Sequence, residues 1–492
     1  MPMDNLVEQL GAKFKIEFAG RVAGMVANAL LVVFLARELN PNGYGLLFLA
    51  ISIFSVVQIF TRFGLAKSAG RFISEYKINK PDQIPFIIRR TFIYNIATIM
   101  LVATVFYFTH SQLSQILKEP GLEPLLRIGV LYIIFGSLTK FARIVYQGLD
   151  NIQISAKINA LSRISQLALI SILLSVGMGV NGALWGMVGG FIISSGLGLT
   201  HLFKRHYSGR KDKQVEIGLY QKIRRYSVPL AFTDLALKLD GQVDTILVGI
   251  FLNPIAVGYY SLSKQITVFV QMPASALGFS TAPSYSQQVN ENNPRLAAQL
   301  FEESLFHTLL LYVPGAVGIV LTASPGIRYV FGTGYLGAVP LLQIFSVYTI
   351  LLALTKLTDY PLDYLGRAKQ RAVANGIAST SNIALNIVLI PMIGVTGAAI
   401  STVITHTFYV MFKLFLIKDE LPVQFHTLLH DLTKVGAVSV GMGAIVWLLL
   451  PYVSGLITLS CIIVVGILSW GFLSLTTGAI DIRSISTVLR GS

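Results

Sequence analysis

The chain of 492 residues is 54% hydrophobic and only 12% charged, about half the charged fraction of a soluble globular protein. That composition excludes a soluble domain and leaves a polytopic membrane protein. The formal net charge of +15 would suit nucleic acid, but the basic residues fall at the edges of apolar runs, where they set membrane topology, so no nucleic-acid partner is expected.

Fourteen apolar runs near membrane-crossing length follow one another, at about 17–36, 45–66, 86–108, 124–146, 154–177, 182–203, 228–252, 255–280, 300–322, 338–357, 372–391, 395–417, 435–453 and 456–478. Residues 1–16 are polar and no small-residue cleavage site precedes Arg37 and Glu38, so no cleavable leader is expected. With both termini cytoplasmic, nearly all loop lysines and arginines fall inside, among them Lys67, Arg71, Lys77, Lys80, Arg143 and Lys413. The alternate loops hold only Arg37, Lys118 and Arg328.

In the first run Glu17, Arg21, Gly24 and Asn28 form one polar stripe, which reads as a local ion pair at the interface or as a cavity lining. Arg62, Lys140 and Lys356 sit near cytoplasmic ends, where they snorkel, whereas Arg163 and Lys264 lie a turn or two deeper. The basic stretch Lys204–Tyr226 after the sixth run is the one internal boundary.

The seventh run carries Asp234, Lys238, Asp240 and Asp244. Exposed to lipid, four such charges would cost on the order of 10 kcal/mol. On a helical wheel they gather beside Gly241 and Thr245, opposite a face of Leu, Val and Ile, which predicts a polar cavity in a helical bundle. Lys238 reads as a contact for an anionic cargo phosphate or as the partner of Asp234. Asp240 and Asp244 read as holders of H⁺ or Na⁺ or as neutralisers of nearby bases. Within the spans, basic residues outnumber acids, which suits anionic cargo.

Pro273 and Pro314 should kink their helices. His426 and His430 with Asp431 lack a third strong ligand, no GxxxxGK[ST] loop occurs, and Cys461 is the only cysteine, so no metal, cofactor or ATP drive is expected. Val435–Ile480 contains no charged side chain and reads as a lipid-facing hairpin.

Three motifs recur at nearly one offset: LNPNGYG (Leu39–Gly45) as LNPIAVGYY (Leu252–Tyr260), Tyr146-Gln-Gly148 as Tyr364-Leu-Gly366, and VNGALWG (Val180–Gly186) as VTGAAIS (Val395–Ser401). They indicate a duplicated six-helix unit with parallel copies. The expected organisation is all-α: a six-helix bundle at 1–203, a linker at 204–227, a second bundle at 228–417 and an accessory hairpin with tail at 418–492.

The stretches LARELNPNGYGLLFLAIS and DTILVGIFLNPIAVGYYSLSKQ, with the 6 + 6 + 2 organisation, resemble the polysaccharide biosynthesis flippases of the multidrug/oligosaccharidyl-lipid/polysaccharide exporter superfamily. The resemblance implies a V-shaped pair of bundles around a cationic cavity, working by alternating access. It implies a polyprenyl-phosphate- or pyrophosphate-linked oligosaccharide as cargo, membrane lipids as surroundings and glycan-assembly enzymes as partners. In related lipid II flippases the extra hairpin forms a groove for the lipid tail; their essential arginines are not carried over residue by residue. Two alternatives stand beside this reading: a cation-coupled multidrug antiporter of the same superfamily, which normally stops at twelve helices, and a membrane glycosyltransferase or ligase, which needs a larger outer loop than any present here.

Overall fold

In hydrocarbon a lone apolar run can satisfy its backbone only as a helix, and helix is what these runs form. The computed structural model describes residues 3–62, 64–206, 216, 218–271, 273–274 and 293–480, with the side chains of 3–27, 62, 206, 228–240 and 425–431 outside that description. The helices are α1 (Met3–Arg62), α2 (Leu65–Asn79), α3 (Ile84–Ile116), α4 (Glu123–Gly148), α5 (Ile152–Ser175), α6 (Gly179–His206), α7 (Leu219–Phe251) and α8 (Pro254–Val270), then α9 (Pro294–Gly326), α10 (Val339–Tyr364), α11 (Ala368–Ile393), α12 (Val395–Glu420), α13 (Phe425–Leu449) and α14 (Leu456–Thr476).

Among the described residues eleven helical segments are long and apolar enough to cross a membrane, against fourteen expected. The difference falls where the description of side chains stops, at residues 3–27, 228–240 and 275–292, so the first, seventh and eighth expected spans lie partly outside the described residues. Helix α1 contains the first two expected spans, broken at Asn40 (φ 57°, ψ 170°) ahead of Pro41. In α7 the described apolar segment is Gly241–Phe251. Helix α8 has 17 residues.

The helices gather into two units, Met1–Gly258 and Tyr259–Ser492. Helix α7 lies inside the first unit, where it packs on α1 and α2. There the two copies of the LNP motif meet. A Cβ on Gly45 would lie 1.7 Å from the Pro254 carbonyl oxygen, and one on Gly258 would lie 2.3 Å from the Pro41 carbonyl oxygen. Gly45 and Pro41 occupy the same motif positions as Gly258 and Pro254, so the contact is reciprocal, as a local two-fold relation requires. Asn253 caps the second copy, its Oδ1 accepting the Ala256 N–H at 3.0 Å.

Small residues also seat α6 on α5. Gly182, Gly186 and Gly190, one turn apart, bring α6 against Leu173, Ile170 and Gln166. In the second unit Gly397 meets the Leu389 carbonyl much as Gly182 meets that of Leu173, which is the duplicated hairpin expected from VNGALWG and VTGAAIS.

Residues 67–79, expected only as part of a basic loop, form most of α2. Ala66, Ala69, Phe72, Ile73 and Tyr76 bury one face while Arg71, Glu75 and Lys77 stay outside. A polar clamp ties this region to the start of α7: Lys80 and Lys222 bond the two Glu216 carboxylate oxygens at 2.8 and 3.0 Å. Hydrogen bonds from Lys80 and Lys222 hold the Glu216 carboxyl down at about 2. Its folded-state pKa lies below the unfolded value, so this stabilisation is present above the ordinary carboxylate range and lost only as pH falls towards 2.

In the second unit Pro314 is buried within α9. At the end of α8, beside Pro273, the Tyr312 hydroxyl donates to the Val270 carbonyl at 2.9 Å and accepts the Ala274 N–H at 3.0 Å. It thereby satisfies two backbone groups that an unbroken helix would pair with each other. Helices α13 and α14 dock on α9, with Trp470 Nε1 donating to the Leu310 carbonyl at 2.8 Å and Gly443 close against Val317. Their outer faces expose Val440, Trp447, Leu448, Ile457, Leu468 and Phe472, a surface suited to lipid.

The reciprocal glycine contact yields a test. Gly45→Val and Gly258→Val should each lower the melting temperature of the purified protein sharply, by about 3 kcal/mol or more of stability, because a backbone rather than a movable side chain stands in the way. Gly376→Ala, where a Cβ meets nothing within 4 Å, should leave melting unchanged. Equal melting of all three variants would contradict the close crossing.

Candidate functional site

Within a membrane helix an ionisable side chain either pairs, reaches water or serves cargo. Of the residues singled out in the sequence, Glu17, Arg21, Asp234, Lys238 and Asp240 have side chains outside the described residues, although α1 and α7 carry their backbones. Asn28 is half-buried on α1. Asp244 is buried in the first unit at 3% exposure, beside Thr245 at 4%, so this acid packs among helices rather than standing in open water. Arg163 is exposed on α5. In the second unit the half-buried Lys264 ammonium lies 5.5 Å from the Tyr260 ring centroid.

A buried polar seam joins α11 and α12. Asn386 Nδ2 donates to Asn382 Oδ1 at 3.0 Å, Ser401 Oγ donates to Asn386 Oδ1, and Asn382 Nδ2 reaches Thr405 Oγ1 at 3.4 Å. Such interhelical bonds fix two helices in register where hydrophobicity cannot.

Beyond it lies a charge network that the sequence reading missed. Lys413, assigned from sequence to the cytoplasmic flank of its span, has a side chain with 0% exposure. Its ammonium donates to Asp359 Oδ1 at 3.1 Å and to the Thr355 carbonyl at 3.1 Å, and lies 4.3 Å from the Tyr409 ring centroid. Arg371 completes the chain, bonding Asp359 at 3.1 Å and Asp363 at 2.9 Å. Two acids from α10 thus alternate with a base from α11 and one from α12, and the formal charge cancels. The available signal was the pair Asp359 and Asp363 at i, i+4 in TDYPLDYLGRAKQR, one turn ahead of a basic cluster. Among the described residues no three His, Cys, Asp or Glu side chains gather for a metal; those of His426, His430 and Asp431 are outside the description.

Removing one member of this network should reveal which pairing matters. Asp359→Asn strands the fully buried Lys413 and should cost about 3–5 kcal/mol, read as a lower melting temperature and lower abundance. Lys413→Met with Asp359→Leu should recover most of the loss, because Arg371 keeps Asp363. A double variant no more stable than Asp359→Asn would show that the network does not hold these helices.

The polysaccharide biosynthesis protein family matches residues 34–340 of the chain. A probable low-salt glycan biosynthesis flippase, Agl15 of Haloferax volcanii, is 22% identical over 79% of this chain and 79% of its own length. The lipid II flippase MurJ of Bacillus subtilis is 25% identical over 41% of this chain and 39% of its own. Among solved structures, the lipid II flippase MurJ in an inward closed conformation superimposes with a TM-score of 0.73 at 17% identity, over 93% of this chain and 98% of that one. An inward-facing multidrug resistance MATE family transporter of the MOP superfamily gives 0.67 at 12% identity, over 80% and 94%. These likenesses establish the fold of a multi-pass membrane transporter, and the match over more than half its length establishes that the chain belongs to the polysaccharide biosynthesis protein family.

Proposed function

We propose that this protein is a flippase that moves a polyprenyl-phosphate-linked oligosaccharide across the membrane for cell-surface glycan assembly. The observation that carries the reading is the overlap of 93% of the chain with a lipid II flippase fold, joined to the family match. The fold of a multidrug resistance MATE family transporter of the MOP superfamily accounts for 80% of the chain. We read the protein as a transporter rather than a catalyst, because the relatives and solved structures it resembles are flippases and transporters.

The finer organisation is part of the proposal. Two six-helix bundles at 1–203 and 228–417 rock about a cavity lined by Arg21, Asn28, Arg163, Lys238 and Lys264. The hairpin within 418–492 guides the lipid tail, in keeping with its charge-free outer face. H⁺ or Na⁺ at Glu17, Asp234, Asp240 or Asp244 supplies coupling or charge balance, and glycan-assembly enzymes feed the cargo. Both termini and Lys204–Tyr226 lie in the cytoplasm.

Two measurements test this. In membranes of a deletion strain, externally accessible lipid-linked glycan should be restored by the natural chain and not by Lys238→Ala at equal abundance. If Lys238 only pairs with Asp234, Lys238→Ala should lower abundance, and the double change with Asp234→Ala should restore both abundance and transport; that outcome would falsify the cargo role. Topology is read separately in a Cys461→Ala background. An impermeant maleimide added outside should label a cysteine placed at Asn253 and spare one placed at Lys211; external labelling at 211 would reverse the orientation.

A further inference from the structure

The partners of an ionisable side chain at mid-membrane decide what it can do, and α12 carries one that the sequence reading passed over. His406 is half-buried, midway along Val395–Glu420. Its Nδ1 lies 3.2 Å from the Thr402 carbonyl, which can only accept, so Nδ1 carries the hydrogen of the neutral ring. Nε2 then accepts from the buried Tyr348 hydroxyl of α10 at 3.3 Å. The two rings stand edge to face with centroids 4.7 Å apart. A ladder of polar rings and charges continues along this face of α12. Tyr409 lies 6.5 Å from the imidazole between centroids, and the Lys413 ammonium lies 4.3 Å from the Tyr409 ring centroid. On the other side, the Tyr260 hydroxyl of α8 is 3.5 Å from Thr402 Oγ1, with Lys264 beside the Tyr260 ring. Helix α11 presents the neutral Asn382 and Asn386 to α12, and its Arg371 joins lower down through Asp359.

The two ring nitrogens differ as proton sites. The carbonyl opposite Nδ1 is satisfied in either charge state. The hydroxyl opposite Nε2 can turn about its C–O bond from donor to acceptor, so a proton from water can settle on Nε2 without loss of the contact. The Tyr348 hydrogen then swings away and the hydroxyl oxygen accepts Nε2–H. The added charge stands on the face of α12 that carries Lys413 two turns on, about 10 Å along the axis at roughly 1.5 Å per residue. It thus loads a network whose own charges cancel. We propose that His406 is a proton-binding site of the second unit, with Tyr348 as its positioning residue, and that its occupancy shifts the α10–α12 pairing between two arrangements during transport. The proposal rests on the flippase reading and deepens it, because it names a coupling ion and seats it apart from the acids of α1 and α7. Sequence alone showed His406 as one histidine in an apolar run; its partner Tyr348 lies 58 positions away.

Proton uptake by the purified full chain in detergent is measured between about pH 8 and pH 5, where imidazole ordinarily titrates. The natural chain should take up one proton more than His406→Gln, which keeps a hydrogen-bonding group opposite Tyr348. Tyr348→Phe should move the midpoint of that uptake about one pH unit lower, because an imidazolium loses more than an imidazole when its acceptor is removed. Transport is read in cells of the deletion strain as externally accessible lipid-linked glycan, with and without an ionophore that collapses the pH gradient. The natural chain should slow about tenfold with the ionophore, within the usual range of coupling between sites. His406→Gln, at equal abundance and melting temperature, should be slow in both conditions. Equal proton uptake by the natural chain and His406→Gln overturns the site. Fast, gradient-sensitive transport by His406→Gln overturns the coupling role and leaves a passively titrating group. If His406→Gln melts well below the natural chain while Tyr348→Phe leaves the midpoint in place, His406 is a structural histidine and the proposal fails. A natural chain that restores no external glycan overturns the flippase reading and the coupling role with it, while the proton count still decides the binding site.

Discussion

Two peptide backbones can touch only where no side chain stands between them, and in this protein that condition is met at Gly45 and Gly258. Each glycine lies against the carbonyl of the other motif's proline, which has no N–H and so favours the first turn of a helix over its interior. The same two residue types thus end one helix and admit the next. Without them the outer turns of α1, α7 and α8 would be separated by at least a methyl layer, and the seating of Gly249 against Leu49 further down α7 would be lost.

Inside the helical units, polar groups are handled by two different strategies. The α10–α12 network closes upon itself: every charge meets its opposite and the fully buried Lys413 is shielded by Tyr409. The α4–α6 region stays open, with Arg143 lacking an acceptor for its Nε.

Much of the fold was legible before any coordinates. Apolar runs marked most of the helices, and the LNP repeat predicted a relation between halves that the glycine crossing makes physical. Three features were not legible, each for a stated reason. Helix α2 hid within a basic loop because its amphipathic face (Phe72, Ile73 and Tyr76) is too short for a membrane period. Lys413 looked like a topology marker because a residue near a helix end can snorkel or turn inward, and its partners lie over fifty positions away in sequence. Arg143 looked the same for the same reason. Of the candidate cavity residues, Arg163 was found exposed; Asp244 was found buried, a state that a helical wheel does not distinguish from solvation.

The two copies of the LNP motif are no longer identical, and the crossing shows where each has been free to change. In a symmetric pair of separate chains every substitution is made twice, so a change that suits one side must also suit the other. Within a single chain the two sides are written independently. Gly43 of the first copy lies where a Cβ would come within 2.9 Å of Val180, whereas the matching position of the second copy is Ala256, which carries a methyl group. Gly45 and Gly258, each pressed against the other copy's backbone, keep the same residue type, as do the Leu-Asn-Pro residues that open each copy. Fusion has therefore released the neighbours of the crossing from symmetry while leaving the crossing itself bound by it.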